Sequence, residues 1–330
     1  MEELQMKAVI LIGGEGTRLR PLTLNTLKCM VPVANRPFIE YQFDLLKKHG
    51  IKEVILSVCN MPEKVKKTVG DGSRYGMKVK YAFETEPLGT GGAIRNCLNY
   101  LDDTTLILNG DILTDINISD MVRLHRKKSA SVSIALHKVN DAASYGFVEH
   151  DKAGVVSKFI EKPDKSGGIA WINAGIYLFS KSAVEFIETG RPVSVEREVF
   201  PGLIASGERL QAYKSEYYWI DIGTIERYKQ ANFDAALGVF KPLRKDIYPV
   251  MAKAKPSSLG HPVVIAKDCS IEGGSRVERS VVWGGSVICA GAVVTDSVLG
   301  SGCYIGEDCI VEGAVLGDNT KITKYSKVGR

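Results

Sequence analysis

A glycine-rich loop and three nearby cations near the start of the chain could together bind a polyphosphate. The loop follows a short apolar segment and contains Gly13, Gly14 and Gly16. Successive glycines can turn their backbone N–H groups toward one point and so hold an anion. The cations are Arg18, Arg20 and Lys28, and the guanidinium groups of the two arginines can each grip two phosphate oxygens at once. The loop fits neither a dinucleotide-binding fingerprint nor a Walker loop. A solvated basic loop is the alternative interpretation.

Two aspartates in similar surroundings could bind Mg²⁺. Asp111 ends the sequence NGD, and Asp221 lies in the sequence WIDIGT. Mg²⁺ is commonly bound by one or two carboxylates together with phosphate oxygens and water. A single aspartate after a glycine is often only a turn residue, but a second one makes a metal site worth proposing. Other acidic residues are interpreted as exposed loop charges, namely Asp102, Asp103 and Asp115.

The segments that must position these residues alternate between strands and helices. The predicted strands are Lys7–Ile12, Glu53–Val58, Lys78–Phe83, Thr105–Asn109 and Val132–Leu136. The predicted helices are Pro37–Lys48, Pro62–Val69, Gly91–Leu101 and Ser119–Lys128, the last with Ser119 as its N-cap. Near-continuous apolar strands alternating with helices indicate a Rossmann-like, doubly wound α/β domain with a mostly parallel sheet. Its ligands should bind beyond the carboxyl ends of the strands.

The C-terminal part of the chain is a repeat of another kind. Apolar residues recur every five or six positions, at Ile271, Val277, Val282, Val287, Val293, Leu299, Ile305, Val311, Leu316, Ile322 and Val328. A small residue stands two positions before each of them, at Cys269, Ser275, Ser280, Gly285, Gly291, Ser297, Cys303, Cys309, Ala314, Thr320 and Ser326. This double period predicts a hexapeptide-repeat, left-handed parallel β-helix. Because such a solenoid cannot cover its own end coils, we expect a homo-oligomer through the β-helix or a docked domain to cap it.

The domain boundary follows from composition. Of 33 glycines, 12 lie in the last 73 residues, and a Pro- and Lys-containing connector precedes them. We therefore predict an α/β domain over residues 1–240, a linker over 241–257 and the β-helix over 258–330. Four cysteines of the repeat are expected to pack rather than to bind metal, because no metal-ligand spacing is present: Cys269, Cys289, Cys303 and Cys309.

Charge and composition exclude several classes of protein. The 43 basic and 38 acidic residues give a net charge of +5, too small and scattered to indicate a nucleic-acid or membrane partner. No run approaches the roughly 18 apolar residues of a membrane span. The start of the chain is acidic where a secretory signal would be basic. The seven cysteines include no CxxC pair, which indicates reduced thiols and a cytoplasmic location.

The sequence LIGGEGTRLRPLTLNTLKCMVPVANRP resembles the signature of sugar-1-phosphate nucleotidylyltransferases. That family's pattern is GGxGTRLxPLT, a short spacer, then PK and an apolar residue followed by proline. The chain departs from it at Leu27, where the family usually has proline, so the placement of Lys28 is the point most affected. The segments EPLGT, NGD, YG, EKP, NAG and WIDIGT then follow in the family's order, so the resemblance spans residues 7–230.

The resemblance implies a role for each motif. The nucleotide would be bound by Leu11, Gly13, Gly14, Gly16, Thr17, Arg18, Lys28, Glu86, Pro87, Gly89 and Thr90. The sugar phosphate would be bound by Gly146, Glu161, Lys162, Asn173 and Gly175. Mg²⁺ would be held by Asp111 and Asp221, and the catalytic residues would be Arg18, Lys28, Asp111, Lys162 and Asp221. Without the resemblance, EPLGT would be interpreted as a simple helix-capping loop.

The implied reaction joins a nucleoside triphosphate and a hexose 1-phosphate to give a nucleoside diphosphate sugar and pyrophosphate. A sugar-phosphate oxygen would attack the α-phosphorus in line. The sequences VSVEREVFP and WIDIGTIERY look most like mannose-1-phosphate guanylyltransferases, which implies GTP and mannose 1-phosphate. The alternatives are a glucose-1-phosphate uridylyl-, thymidylyl- or adenylyltransferase, and a non-catalytic regulatory subunit that binds a nucleotide sugar. An acyltransferase is less well supported, because His261 is the only histidine after residue 150.

Overall fold

The computed structural model describes residues 6–140, 145–161, 169–240, 259–260 and 262–329. The chain forms two compact units, one from residues 1–14 and 42–219 and the other from residues 15–41 and 220–330. The boundary between them runs through the glycine loop. The predicted linker at 241–257 lies outside the described residues. Within the described ranges, no helix is long and apolar enough to cross a membrane.

The described residues before position 240 contain thirteen strands. They are β1 (Ala8–Leu11), β2 (Pro32–Val33), β3 (Arg36–Pro37), β4 (Glu53–Val58), β5 (Lys78–Phe83), β6 (Thr104–Asn109), β7 (Ile112–Thr114), β8 (Val132–Val139), β9 (Gly146–His150), β10 (Val156–Glu161), β11 (Ala170–Ser180), β12 (Leu210–Lys214) and β13 (Trp219–Asp221). The described helices of this part are α1 (Phe38–Lys48), α2 (Pro62–Val69), α3 (Gly89–Asn96), α4 (Ile118–Lys127), α5 (Lys181–Glu185), α6 (Phe200–Ala205) and α7 (Ile225–Ala236). A π-helical turn at Val195–Val199 precedes α6.

The first unit is built on a nine-stranded mixed sheet. The strand order is β10-β9-β11-β6-β1-β4-β5, and β8 pairs with both β11 and β12. The strands β6, β1, β4 and β5 are parallel, as the sequence predicts, whereas β11 is antiparallel to β6 and β8. The register aligns Leu11 with Ser57 and with Asn109. The carboxyl ends of β1, β4 and β6 therefore meet at one edge, where the candidate loops begin.

Two helix predictions need correction. The helix predicted at Gly91–Leu101 is α3, which begins at Gly89 and ends at Asn96, and a separate 3₁₀ turn follows. The helix predicted to be capped by Ser119 is capped by Asn117, whose side chain accepts a hydrogen bond from the Asp120 amide. Asparagine is as good an N-cap as serine, and this one stands two residues earlier. The Ser119 hydroxyl instead lies 2.8 Å from Nδ1 of His49.

The C-terminal strands form three parallel sheets that fit a left-handed parallel β-helix. They are β14 (Leu259–Gly260), β15 (Val264–Ile265), β16 (Ser270–Ile271), β17 (Arg276–Glu278), β18 (Val281–Val282), β19 (Val287–Ile288), β20 (Val293–Thr295), β21 (Val298–Leu299), β22 (Tyr304–Ile305), β23 (Ile310–Glu312), β24 (Val315–Leu316), β25 (Lys321–Ile322) and β26 (Lys327–Gly329). Each sheet takes every third strand, for example β16-β19-β22-β25. Coil neighbours such as Ser280 and Ser297 are 17 residues apart.

The predicted inward positions are shifted by one residue at two places. Ile288 and Val294 are fully buried in the β-helix core, whereas Val287 and Val293 are only partly buried. Three faces must close in 17 residues, so each coil has two intervals of six residues and one of five. A spacing of five or six read from the sequence does not show where the interval of five falls. The small residues of these two faces are therefore Ser286 and Ala292, in place of Gly285 and Gly291.

Three of the predicted small residues also donate hydrogen bonds to backbone carbonyls. The Cys269, Cys303 and Cys309 thiols donate to the carbonyls of Trp283, Gly317 and Thr323, respectively. Each acceptor lies 14 residues ahead of its donor, and Ser286 makes the same bond to Gly300. Burial raises the pKa of Cys269 and of Cys303, so both thiols stay protonated and able to donate. These cysteines therefore make hydrogen bonds in addition to the packing contacts that the sequence predicts. None of the seven cysteines, all of which are among the described residues, forms a disulfide.

Candidate functional site

The first part of the glycine loop is fixed by β4 and the loop after it. The Ile12 amide donates to the Ser57 carbonyl at 2.9 Å. The Asn60 side chain donates to the Gly13 carbonyl at 2.7 Å. A Cβ at Gly13 would lie 3.3 Å from Cβ of Cys59, a tight contact, whereas nothing lies within 4 Å of a Cβ at Gly14. Leu11 is the last residue of β1 and is partly buried.

The second part of the loop lies against Lys28. Gly16 has a φ of 65°, and its carbonyl accepts a hydrogen bond from the Thr23 hydroxyl at 2.7 Å. A Cβ at Gly16 would lie 3.2 Å from Cβ of Lys28. Thr17 begins a 3₁₀ turn and is exposed. The structure therefore brings Gly16 and Lys28 together, as the polyphosphate hypothesis requires.

Arg18 and Asp221 meet at Gly223. A Cβ at Gly223 would lie 2.7 Å from Oδ1 of Asp221 and 3.2 Å from Nη2 of Arg18, so a larger residue there would have to displace the ends of these side chains. The Asp221 carboxylate accepts from the Gly223 amide at 3.0 Å and pairs with Arg227 in the first turn of α7. The Asp221 side chain is only 14% exposed, which strengthens its ion pair with Arg227. A guanidinium beside a held carboxylate suits a phosphate and its counter-ion.

The NGD loop after β6 is held against the end of β1. The Gly110 amide donates to the Leu11 carbonyl at 2.9 Å, and a Cβ there would lie 2.5 Å from that carbonyl oxygen. The buried Gln42 side chain in α1 donates to the Asn109 carbonyl at 2.8 Å and to that of Ile112 at 3.2 Å. Asp111 is thereby fixed at the sheet edge where α/β proteins bind ligands.

The NAG motif packs directly on the NGD motif. Gly175 has a φ of 70°, and a Cβ there would lie 2.6 Å from Nδ2 of Asn109. The Trp219 indole donates to the Ala174 carbonyl at 2.9 Å and fixes the backbone between Asn173 and Gly175. Two of the predicted motifs are therefore one structural feature.

The EPLGT loop is held by a residue that the sequence analysis missed. The carboxylate of Glu84 accepts from the Ser57 hydroxyl at 2.9 Å and from the Leu88 amide at 3.1 Å. The predicted residues Glu86, Pro87 and Gly89 are exposed. Gly89 has a φ of 70°, and a Cβ there would lie 2.6 Å from the Val193 carbonyl. An acidic residue at the carboxyl end of β5 is the signal that could have identified Glu84.

A chain of side-chain hydrogen bonds joins the EPLGT and NAG motifs through Glu196. Its Oε2 accepts from the Thr90 hydroxyl at 2.9 Å and from the Ser194 hydroxyl at 3.0 Å. Its Oε1 accepts from the Tyr177 hydroxyl at 3.4 Å, and that hydroxyl accepts from the Asn173 amide group at 2.7 Å. Glu196 lies in the π-helical turn, a feature often found at functional sites. The loops expected to contact the base and the sugar are thus linked by one carboxylate.

We predict that Glu196→Gln lowers the free energy of unfolding by about 1.5 to 3 kcal/mol, because hydrogen bonds to a charged acceptor are among the stronger ones. The matched control is Glu198→Gln in the same turn. Glu198 is exposed and pairs with Arg191 at 2.6 Å, so solvent screens the pair and its change should cost much less than that of Glu196. Urea denaturation measures both. An equal loss of unfolding free energy in the two variants would show that the hydrogen bonds of Glu196 do not stabilise the protein more than a surface ion pair does.

The remaining predicted sugar residues are placed only in part. Gly146 is buried at the start of β9 and is the antiparallel partner of Glu161 at the end of β10. The structure therefore brings these two positions together. Lys162 lies outside the described residues. Asp102, expected to be an exposed loop charge, instead accepts hydrogen bonds from the amide and the ammonium group of Lys7, the latter at 2.6 Å.

The described residues include no group of three or more His, Cys, Asp or Glu side chains able to hold a metal ion. A site completed by substrate phosphate needs only one or two carboxylates. The hard carboxylate oxygens of Asp111 and of Asp221 are the donor type that Mg²⁺ prefers, so each residue is chemically suited to bind this ion.

Comparison with known proteins gives the same assignment over both parts of the chain. Residues 7–236 match the family described as nucleotidyl transferase, and residues 249–329 match the GMPPB C-terminal domain. A mannose-1-phosphate guanylyltransferase of Mycobacterium tuberculosis is 35% identical, over 88% of this chain and 83% of that protein. A UTP–glucose-1-phosphate uridylyltransferase of Synechocystis is 31% identical, over 98% of this chain and 84% of that protein.

A solved structure points the same way. HddC from Yersinia pseudotuberculosis, in complex with GMP-PN, is 29% identical with a TM-score of 0.61, and the match covers 69% of this chain and 98% of that one. Since the first family matches most of the chain, and its motifs form the loops described above, the chain belongs to the nucleotidyl transferase family and is a nucleotidyltransferase enzyme.

Proposed function

We propose that the protein transfers a guanylyl group from GTP to mannose 1-phosphate, giving GDP-mannose and pyrophosphate. The meeting of Arg18 and Asp221 at Gly223 supports phosphoryl chemistry, because it combines a phosphate-binding guanidinium with a carboxylate able to hold a counter-ion. The choice of base and sugar rests on the relatives named mannose-1-phosphate guanylyltransferase, including the one from Mycobacterium tuberculosis.

The proposed chemistry relies on positioning and charge neutralisation. The attacking sugar phosphate is already anionic, so no general base is required. Two of the histidines, His49 and His125, are buried and paired with serine hydroxyls. Burial lowers the pKa of His125 to about 4, so this side chain is neutral at pH 7. It therefore contributes no charge to phosphate binding.

The proposed roles divide among four kinds of group. Arg18, Lys28 and the loop amides hold the triphosphate and neutralise the departing pyrophosphate. Lys162 aligns the sugar phosphate for attack. Asp111 and Asp221 bind Mg²⁺, which when bound supplies positive charge against the phosphate oxygens. The NAG and EPLGT loops, linked by Glu196, contact the sugar and the base, respectively.

The experiment that separates the possible substrates measures pyrophosphate release. It tests four nucleoside triphosphates against mannose 1-phosphate and against glucose 1-phosphate. We expect kcat/KM for GTP with mannose 1-phosphate to exceed every other pair by at least about tenfold, equivalent to about 1.4 kcal/mol of discrimination. GTP without any advantage would contradict the guanylyl assignment while leaving the reaction class intact. A UTP and glucose 1-phosphate preference is the second candidate, favoured by the Synechocystis relative.

We also propose that the protein is a cytoplasmic homo-oligomer that assembles through the β-helix. Seven cysteines without a disulfide support a reducing compartment. Support for assembly comes from the last described coil, where Tyr325 is 68% exposed and Lys327 and Gly329 are exposed as well. End coils of a solenoid require a cover. The division into domains at 1–240, 241–257 and 258–330 likewise stays a prediction.

A further inference from the structure

The hairpin that follows Lys28 is held by groups from outside itself. A 3₁₀ turn at Lys28–Met30 leads into β2 and β3, which are joined by Ala34 and Asn35 with φ values of 46° and 64°. The Ala34 amide donates to the Asn232 side chain in α7 at 2.9 Å. The Asn35 side chain donates to the Ile265 carbonyl in the β-helix at 3.0 Å. Elements more than 190 residues away thus determine where this hairpin lies.

A buried relay connects the same hairpin to the interior of the β-helix. The Trp283 indole N–H donates to the Tyr228 hydroxyl at 2.7 Å. That hydroxyl donates in turn to the Pro32 carbonyl at 2.6 Å. Tyr228 is fully buried and Trp283 is 2% exposed, so neither group can exchange its partner for water. Burial raises the pKa of Tyr228, which keeps its proton available for donation.

The helix that carries Tyr228 also supports Asp221. Thr224 caps α7 by accepting from the Arg227 amide, and Arg227 pairs with the Asp221 carboxylate. Lys229 of the same helix donates to the Asp296 carbonyl of the β-helix at 2.6 Å. A Cβ at Gly317 of another coil would lie 3.2 Å from Cβ of Pro21 in the signature loop. The β-helix, α7 and residues 15–41 therefore form one hydrogen-bonded and packed body.

We propose that Trp283 is a positioning residue for nucleoside triphosphate binding, acting through Tyr228 on the Pro32 carbonyl, in the hairpin that follows Lys28. This inference rests on the proposed function, because it assumes that Lys28 binds the triphosphate. The β-helix then serves the reaction directly, in addition to any part in assembly. The sugar phosphate would be unaffected, because the described residues predicted to bind it, Gly146, Glu161, Asn173 and Gly175, belong to the other compact unit.

The test compares Tyr228→Phe, Trp283→Phe and the double variant in the full-length protein. Tyr228→Phe removes the donor to the Pro32 carbonyl, so we expect KM for GTP to rise by about tenfold while KM for mannose 1-phosphate stays within twofold. A small displacement of a positioning group is enough for a change of this size. Trp283→Phe should have a smaller effect of the same kind.

The double variant separates positioning from stability. Tyr228→Phe alone leaves the Trp283 N–H buried without an acceptor. The double variant has no such group, because Trp283→Phe removes the N–H. We therefore expect its thermal midpoint to recover above that of Tyr228→Phe while KM for GTP remains raised. Two matched controls should leave both KM values unchanged. Tyr213→Phe removes another buried hydroxyl, bonded to the Asn117 carbonyl, and Ser297→Ala weakens the β-helix at the Ala314 amide.

Three results would overturn the proposal. The first is an unchanged KM for GTP in Tyr228→Phe. The second is an equal rise in KM for GTP and in KM for mannose 1-phosphate. The third is a KM for GTP that changes in proportion to the thermal midpoint across all variants and controls. Failure of the proposed function has a different signature, because the wild-type protein itself would then show no advantage for GTP with mannose 1-phosphate over the other substrate pairs.

Discussion

Replacement of Asp111 by Asn is expected to lower kcat by at least about a hundredfold, a loss comparable to removing one electrostatic group from a preorganised active site. Asparagine has nearly the same size, so the contacts of the NGD loop made by Asn109 and Gly110 should persist. What the change removes is the negative charge that holds a divalent cation against the phosphates. Pyrophosphate release under saturating substrates measures the effect.

A matched control for Asp111→Asn is Asp103→Asn, the same change at an exposed residue just before β6. The structure gives Asp103 a backbone contact to Lys181, which the substitution leaves in place. The control should retain full activity. The thermal midpoint of Asp111→Asn should stay near that of the wild type. Activity within tenfold of the wild type would remove Asp111 from the metal role.

The order of strands and helices in the first unit could be predicted because the sequence pattern of each strand and helix is local. The strands β4 and β5 and the helix α2 have the predicted bounds, since their apolar periods and flanking glycine or proline residues are clear. The mixed character of the sheet could not be predicted in the same way. β11 is as apolar as a parallel strand, and its antiparallel pairing with β6 depends on the path of the whole chain.

The residues of the candidate site likewise fall into those that local sequence predicts and those that depend on the path of the whole chain. Motif residues that act through their own backbone, such as Gly110 and Gly175, could be identified from the sequence because glycine is the visible sign of a close approach. Glu84, Gln42 and Glu196 were missed because each supports a loop distant in sequence. Nothing in a local pattern shows which buried polar side chain will satisfy which carbonyl or hydroxyl.

Replacement of Gly14 by Ala is expected to leave the free protein unchanged and to raise KM for GTP by at least about tenfold. Nothing lies within 4 Å of a Cβ at this position, and the backbone of Gly14 has no positive φ, so alanine is accommodated without strain. A phosphate that approaches the loop amides would, however, meet the added methyl group. Losing hydrogen bonds to a charged group costs about 1.5 to 3 kcal/mol, which corresponds to a tenfold or larger change.

Two further glycine variants show whether the effect of Gly14→Ala on GTP binding is separate from any effect on stability. Gly16→Ala should lower the thermal midpoint as well, because Gly16 has a φ of 65° and a Cβ there would lie 3.2 Å from both Lys28 and Thr23. Gly273→Ala, at a β-helix position with equally open surroundings, should change neither stability nor KM. Calorimetric titration with GTP and thermal unfolding report the two effects separately. If Gly14→Ala binds GTP as tightly as the wild type, the nucleotide does not approach this part of the loop, and Arg18 and Lys28 must hold the triphosphate without the Gly14 amide.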